Sequence, residues 1–346
     1  MSALKRGTGR LGIKELARHL NLSVSTVSRA LNGYDDVRRE TRRRVEQAAQ
    51  DLGYSPHHAA ATLRGQSTQT VTFMLSSPWT KFADPFFLGL LDGVEMALQA
   101  NGFDLQVVMA RGHEREMDII LRTVERRRSD AIIFARTRPE DERVEYLKRI
   151  SFPFATLGRC NDPDFDWVDL DHSQTAWEAT TRLASLGHQR IALLNTPMRY
   201  SYSHHALSGY RQALKECELP EHESLIQECT LAQGSGMGAM KQLLAQSQRP
   251  SAVVCGNDVI AVGAMDAIRR LGLTPGVEVS VIGCDDIPVA SYSSPPLTTF
   301  GIDLESVGLT LGRVVLDRLN GKPRAPQNIL QNMELISRGT DRPAPR

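Results

Sequence analysis

Between Leu22 and Asn32 the chain reads Leu-Ser-Val-Ser-Thr-Val-Ser-Arg-Ala-Leu-Asn. Val27 and Leu31 stand one helical turn apart and give this run an apolar seam. Ser23 is placed to cap it by accepting from a free backbone N–H. Val24, Ser25, Thr26, Ser28 and Arg29 fall on the other face. Hydroxyls and a guanidinium there suit phosphate oxygens and base edges better than a core. The run is expected to be the recognition helix of a helix-turn-helix.

Other chemistry is thinly represented. Gly234-Ser235-Gly236-Met237-Gly238 has neither dinucleotide nor P-loop spacing and reads as the start of a helix. His188 is isolated from any nucleophile in the sequence, and no HExxH or GxSxG occurs. Cys160, Cys217, Cys229, Cys255 and Cys284 form no CxxC pair, so neither a zinc site nor a disulfide framework is expected. An enzyme is not expected, nor are a catalytic set, a metal or a cofactor.

The elements around the run support the first reading. Ile13, Leu16, Ala17 and Leu20 keep helical spacing, and Asn21-Leu22-Ser23 is a tight break before the next helix. A third helix is expected over 39–52, with Val45, Ala48 and Leu52 inward, Gly53 as its C-cap and Pro56 as a stop. The small core would comprise Ile13, Leu16, Ala17, Leu22, Val27, Leu31, Val37, Val45 and Leu52. Residues 55–65, with Pro56 and Ala59-Ala60-Ala61, favour helix but are too few to hold one alone. They suit a hinge that folds with outside help. Charge is divided unevenly. Residues 1–64 hold 12 Lys and Arg against 6 Asp and Glu, a net of +6, whereas the rest holds 29 against 34, a net of −5. A basic head on an acidic body suggests that only the head meets a polyanion.

At 346 residues the chain is too long for one ordinary core. From residue 69 short β-rich runs alternate with helical stretches. Strands are expected at 71–75, 103–109, 131–134, 154–157, 191–194, 252–255 and 279–282. Helices are expected at 87–100, 114–127, 174–186, 203–216 and 258–271. Such alternation implies parallel sheets covered by helices, with chain enough for two units and a ligand crevice at the strand carboxyl ends. No apolar run reaches 18 residues, and the basic start has no apolar core of a signal peptide, so a cytoplasmic protein is expected.

Several blocks together resemble the LacI/GalR family of bacterial helix-turn-helix transcriptional regulators. They are Ile13-Lys14-Glu15-Leu16-Ala17, the run from Ser25 to Gly33, Thr41-Arg42-Arg43-Arg44-Val45 and Leu52-Gly53-Tyr54-Ser55-Pro56. The resemblance implies an all-α helix-turn-helix head over 1–55, a hinge helix and linker over 56–68, and an α/β two-lobed periplasmic-binding-protein-like (type I) effector and dimerisation domain over 69–346. It also implies roles in the head. Val24 and Ser25 would read bases in the major groove and Arg29 a guanine edge further along. Thr26, Ser28 and Asn32 would contact phosphate or hold the turn. Leu63 would wedge into a minor-groove step with Ala60 on the groove floor. Without that resemblance, Leu63 reads as an ordinary linker leucine. Arg38 stands where the family commonly has a small capping residue.

In the body, Asp84-Pro85-Phe86-Phe87, the run from Ser251 to Asp258, Gly283-Cys284-Asp285-Asp286 and Pro296-Leu297-Thr298-Thr299 match further blocks. By those matches Asp84 and Phe87 would line the cleft from one lobe, Arg159 would sit at another strand end, and Asn257 and Asp285 would face them. Acids, an amide and an aromatic ring suit a sugar, with Trp79 as a further stacking surface. Simpler roles stay open: Asp285-Asp286 and Asn257 could cap helices, Phe86 could be core and Trp79 could be packing. Three crossovers between lobes are expected near 161–170, 292–300 and 319–330. Ala206 stands where many relatives place an effector-clamping Arg, so Tyr202, His204 or His205 would substitute, or the two histidines simply face solvent.

The implied function is a homodimeric repressor of sugar uptake or catabolism genes, bound to a pseudopalindromic double-stranded operator and controlled by a small-molecule effector, with no membrane partner. Two rivals remain open from sequence: a corepressor-dependent regulator of non-sugar metabolism, and a ligand-binding receptor without DNA binding.

Overall fold

The computed structural model describes residues 12–31, 34, 36–52, 67–76, 85–110, 114–231, 234–321 and 324–345. Asn32, Gly53, Ala60, Leu63, Trp79 and Asp84 lie outside the described residues. Contacts divide the chain into two compact units, residues 1–68 and 69–346.

The first unit contains α1 (Ile13–Leu20), α2 (Val24–Leu31) and α3 (Arg39–Asp51). Leu16, Ala17, Val27, Ala30, Val37, Val45, Ala48 and Ala49 are buried together, and Ile13, Leu20, Leu22, Leu31 and Leu52 pack against them. This is the small core expected from the 3.6-residue periodicity. The tight break works as the sequence suggests: Asn21 takes a left-handed conformation (φ 53°) and ends α1. Two residues later the Ser23 hydroxyl accepts from the Thr26 N–H at 3.0 Å and caps α2. Helix α3 ends with Leu52 at its C-cap, and Arg38 at its N-cap makes no side-chain capping bond.

The second unit is built on two six-stranded sheets. One runs β11-β5-β4-β3-β1-β2, the other β12-β10-β9-β8-β6-β7. The first sheet comprises β1 (Thr70–Ser76), β2 (Asp104–Ala110), β3 (Ala131–Ala135), β4 (Phe154–Leu157), β5 (Trp167–Leu170) and β11 (Asn328–Gln331). The second comprises β6 (Ile191–Asn195), β7 (Ile226–Glu228), β8 (Ala252–Cys255), β9 (Ser280–Cys284), β10 (Thr298–Gly301) and β12 (Glu334–Ile336). Every pairing is parallel except β10 with β12. Helices α4 (Pro85–Gln99), α5 (Glu114–Glu125) and α6 (Glu142–Arg149) alternate with the early strands. Helices α7 (His172–Ser185), α8 (Ser201–Glu216), α9 (Ser235–Leu244), α10 (Asp258–Arg270), α11 (Pro288–Tyr292) and α12 (Leu304–Leu319) follow. Sheet strands buried on both faces, such as β3, β6 and β9, read as continuous apolar runs for that reason.

The lobes are interleaved differently from the sequence expectation. Residues 161–170 and 292–300 contain β5 and most of β10, and 319–330 ends in β11. The chain changes sheet a few residues later each time: between Leu170 and α7, between Gly301 and α12, and between Gln331 and β12. Helix α12 returns to the first lobe and packs on α4. Their backbones touch there, since a Cβ on Gly93 would lie 2.0 Å from the Glu305 carbonyl and one on Gly308 2.1 Å from that of Leu90. A buried Asp166 at the start of β5 secures this return. It accepts from Arg318 Nε at 2.6 Å, Arg324 Nη1 at 2.8 Å and the Gln327 N–H at 2.7 Å. Burial pushes its carboxyl up, but these donors outweigh it and hold the group below the usual range.

Candidate nucleic-acid face and ligand cleft

On α2 the buried side belongs to Val27, Ser28 and Ala30. Val24 is 40% exposed, Ser25 and Arg29 are exposed, and Thr26 is half-buried with its hydroxyl 2.7 Å from that of Ser23. Ser28 departs from expectation. Only 6% of it is exposed, because it shares the inward stripe with its neighbour Val27. A hydroxyl is small enough to be tolerated there, so its polarity in the sequence gave the wrong face. Arg29 pairs with Asp36 and lies 5.7 Å from the centre of the Tyr34 ring. It must exchange the Asp36 carboxylate to take another acceptor.

In the second unit a cleft opens between the carboxyl ends of the two sheets. It encloses about 1000 Å³ counting its mouth. Phe87, Asn257 and Asp285 line it, and so does Phe86. Asn257 does two things at once: its Oδ1 accepts the Ile260 N–H at 2.8 Å, capping α10, while the residue borders the cleft. The capping alternative fails for the acidic pair. The N-cap of α11 is Ile287, with no side-chain capping bond, and Asp286 pairs with Arg338 Nη2 at 2.6 Å. Asp285 stays at the cleft with a left-handed backbone (φ 106°), which turns the chain sharply out of β9.

Arg159 does not line the cleft. Its Nε donates to His205 Nε2 at 3.2 Å and lies 3.4 Å from Asp169 Oδ2, with its guanidinium 5.8 Å from the Trp167 ring. The group in front of it is Asp169, which the sequence reading missed. Asp169 is 3% exposed, is the penultimate residue of β5 and borders the cleft. Burial pushes its carboxyl up to about 7, although Arg159 and the Leu170 N–H at 2.9 Å pull the other way.

Three more polar groups border the cleft without having been singled out or fully placed by sequence. Arg136 follows β3 with φ 58°, donates to the Ser76 carbonyl and stands 5.3 Å from the Phe87 ring. His172 opens α7, and burial drops its imidazole to about 4, with His205 adding to the effect. Tyr202, one of the three candidates for the clamp position, lines the cleft 5.2 Å from His172 and 5.4 Å from Tyr200. Burial raises its phenol, so it stays protonated and can both donate and accept. His204 is exposed, His205 holds Arg159, and Ala206 is buried in the core. Asp169 and His172 had a sequence signal after all. Both stand at the carboxyl end of a strand entering a helix, where doubly wound sheets place their ligands.

His188 is not isolated in space. Nδ1 lies 2.8 Å from the Ser251 hydroxyl and Nε2 2.9 Å from the Arg342 carbonyl. The Arg342 carbonyl can only accept, so Nε2 carries the proton and Nδ1 accepts from Ser251. The ring is fully buried and away from the cleft, so it pins the chain end to the second sheet. Burial lowers its ionisation accordingly.

Among the described residues no group of three His, Cys, Asp or Glu is arranged to hold a metal, and no helix is long and apolar enough to cross a membrane. Comparisons with known proteins agree with the two-part architecture. Residues 12–57 match the family model "Bacterial regulatory proteins, lacI family", and residues 180–340 match "Periplasmic binding protein-like domain". The HTH-type transcriptional regulator AglR of Rhizobium meliloti (strain 1021) is 33% identical over 341 residues, covering 97% of this chain and 95% of that one. A solved transcriptional regulator CelR–cellobiose complex is 28% identical with a TM-score of 0.75, covering 96% of this chain and 100% of that one. A Lac repressor dimer bound to operator and the anti-inducer ONPF is 25% identical with a TM-score of 0.83, again covering 96% and 100%. The chain belongs to the LacI family of bacterial regulatory proteins, and is a ligand-responsive DNA-binding regulator of transcription rather than an enzyme.

Proposed function

We propose that this regulator is a homodimeric repressor of sugar uptake or catabolism genes, released from or recruited to a pseudopalindromic operator by a sugar in the cleft. One observation carries the reading: a helix that exposes Val24, Ser25 and Arg29 over a closed three-helix core is joined in one chain to a two-lobed cleft bordered by Phe87, Asn257 and Asp285. Val24 and Ser25 read bases at the start of α2, and Arg29 reads a guanine edge after leaving Asp36. Thr26 and Asn32 serve phosphate contacts, while buried Ser28 holds the helix in place. Two heads related by dimer symmetry would occupy successive major grooves. The Ala-rich hinge, with Ala60 and Leu63, folds into the minor groove between them. A Lac repressor dimer bound to operator and the CelR–cellobiose complex, both of this fold, support the partner classes.

A selection of random duplexes by the purified chain, with and without a panel of neutral sugars, tests this reading. A two-fold symmetric site should be enriched, and at least one sugar should change its affinity. Arg29→Ala should relax the preference at one symmetric base position, by about 1–3 kcal/mol per contact. Failure to enrich any symmetric site under every condition would sink the repressor reading.

A further inference from the structure

Two carboxylates border the cleft, one from each sheet: Asp285 after β9 and Asp169 in β5. They differ in how they are held. Asp285 stands on a sharp backbone turn, whereas Asp169 is clamped from behind. Asp169 Oδ1 accepts the Leu170 N–H at 2.9 Å, and Arg159 Nε lies 3.4 Å from Oδ2. Arg159 is itself fixed by His205 at 3.2 Å and by the face of Trp167. Arg159 stands outside the cleft lining while Asp169 borders it, so the carboxylate is held by a cation that does not itself face the ligand space. An arginine with that many partners, 21% exposed, is a support rather than a contact.

Resting on the reading that a small molecule fills this cleft, we propose that Asp169 is the first lobe's acceptor for a hydroxyl of a neutral polyhydroxy ligand. Arg159 is its positioning residue. A hydroxyl donating to an ionised carboxylate makes a charge-assisted bond about twice as strong as a neutral one. The other lining groups favour a neutral ligand over an anion. Arg136 already donates to the Ser76 carbonyl and covers Phe87, and the remaining charges at the cleft are the carboxylates. Phosphate or carboxylate on a ligand would meet both acids in a partly dry space, where repulsion is poorly screened.

The same placement makes binding depend on pH. Burial holds the Asp169 carboxyl at about 7, so a ligand that donates to the carboxylate must also drive off a proton below that value. The charged groups acting on Asp169 are Arg159, which follows the neighbouring strand β4, and Asp171, just past the end of β5; Arg136, His172 and Asp285 are the other titratable groups lining the cleft, and His205 on α8 accepts from Arg159. His172 titrates at about 4 and His205 below its ordinary 6.5, so neither sets the onset of a slope near pH 7.

Calorimetric titration of the full chain with D-glucose, maltose, sucrose and cellobiose, beside glucose 6-phosphate, tests the proposal between pH 5.5 and 8.5. A neutral sugar should bind, and its Kd should rise about tenfold per unit as pH falls below about 7. Asp169→Asn should weaken that sugar about 10- to 100-fold at pH 8 and flatten the pH profile. Arg159→Gln should keep the slope but begin it at higher pH, because the carboxylate has lost its cation. The flattening in Asp169→Asn also separates this group from Asp258, which burial raises to about 7 on the other lobe. Equal affinity and pH slope in wild type and Asp169→Asn would overturn the proposal while leaving the sugar reading intact. Glucose 6-phosphate binding as tightly as glucose would overturn the neutral class. If no neutral sugar binds the wild type, the sugar reading itself falls and this one with it.

Discussion

Arg143 illustrates how much a single buried side chain contributes to a site it never touches. It is fully buried, with Nε and Nη2 on the two Asp141 oxygens at 2.8 and 2.6 Å, Nη1 on Glu116 at 3.1 Å and Nη2 also on the Arg136 carbonyl at 3.0 Å. The last bond fixes the backbone of a residue that borders the cleft. Burial pushes the Asp141 carboxyl up, but Arg143 and Arg138 outweigh it and hold the group below its usual range. Its contribution to stability is thus present above the unfolded value of 3.8 and lost as pH falls through the lower folded one. Arg143→Ala would take the fully buried cation from Asp141 and leave Arg138 alone to serve both Asp141 and Glu116, at a cost of about 3–5 kcal/mol in urea unfolding. Arg143→Lys would recover only part, since one ammonium cannot reproduce the planar fork. A loss below 1 kcal/mol for the alanine variant would show that water or rearrangement replaces the cation. Residue roles were legible where type and spacing agreed, as for the Ser23 cap and for Asn257. They misled at Ser28 and Arg159, where a polar side chain turned inward, a choice settled by neighbours distant in sequence.

At the scale of elements, the sequence reading succeeded for strands with uninterrupted apolar runs. Residues 154–157 and 252–255 match β4 and β8 to the residue, and β1, β3 and β6 differ by one or two at their ends. It missed β5, β7, β10, β11 and β12, which carry polar residues: Asp169 in β5, Gln227 and Glu228 in β7, Thr298 and Thr299 in β10, Asn328 and Gln331 in β11 and Glu334 in β12. Pairing across the sheet, not local propensity, makes these strands. Helix α12 went unplaced for a related reason. Its glycines, Gly308 and Gly312, lower intrinsic helicity yet allow its backbone to lie against α4. Gly308→Ala should therefore destabilise the second unit despite alanine's better propensity, because its Cβ would sit 2.1 Å from the Leu90 carbonyl. A cost of about 1–3 kcal/mol is expected from overpacking. Stabilisation in thermal unfolding would mean that α4 and α12 can separate freely.

The whole molecule combines a basic helix-turn-helix unit with an acidic two-lobed one, and that division was legible from charge and periodicity. What sequence could not give was the set of buried ionisable groups, which depends on the closed fold. Asp169 and Asp258 are both held at about 7 by burial, against 3.8 for an ordinary aspartate. The Asp258 carboxylate, on the first residue of α10, accepts from the Ile287 N–H at 3.0 Å and from the Thr299 hydroxyl at 2.5 Å. A group whose folded value is raised gives stability below the unfolded value and loses it as pH rises towards the folded one. Each aspartate thus removes up to about 1.4 kcal/mol per pH unit between 3.8 and about 7. Three histidines act oppositely, His188 fully buried and His172 and His205 half-buried. His172, His188 and His205 titrate below 6.5 in the fold, so each adds stability as pH rises towards that value. The separate contributions emerge from variants. The stability of Asp169→Asn relative to wild type should shift in the variant's favour by up to about 1.4 kcal/mol per unit between pH 5 and 7, then level off. Urea unfolding of both proteins at half-unit steps measures that difference directly, and a difference independent of pH would show that Asp169 ionises in the fold as it does in water.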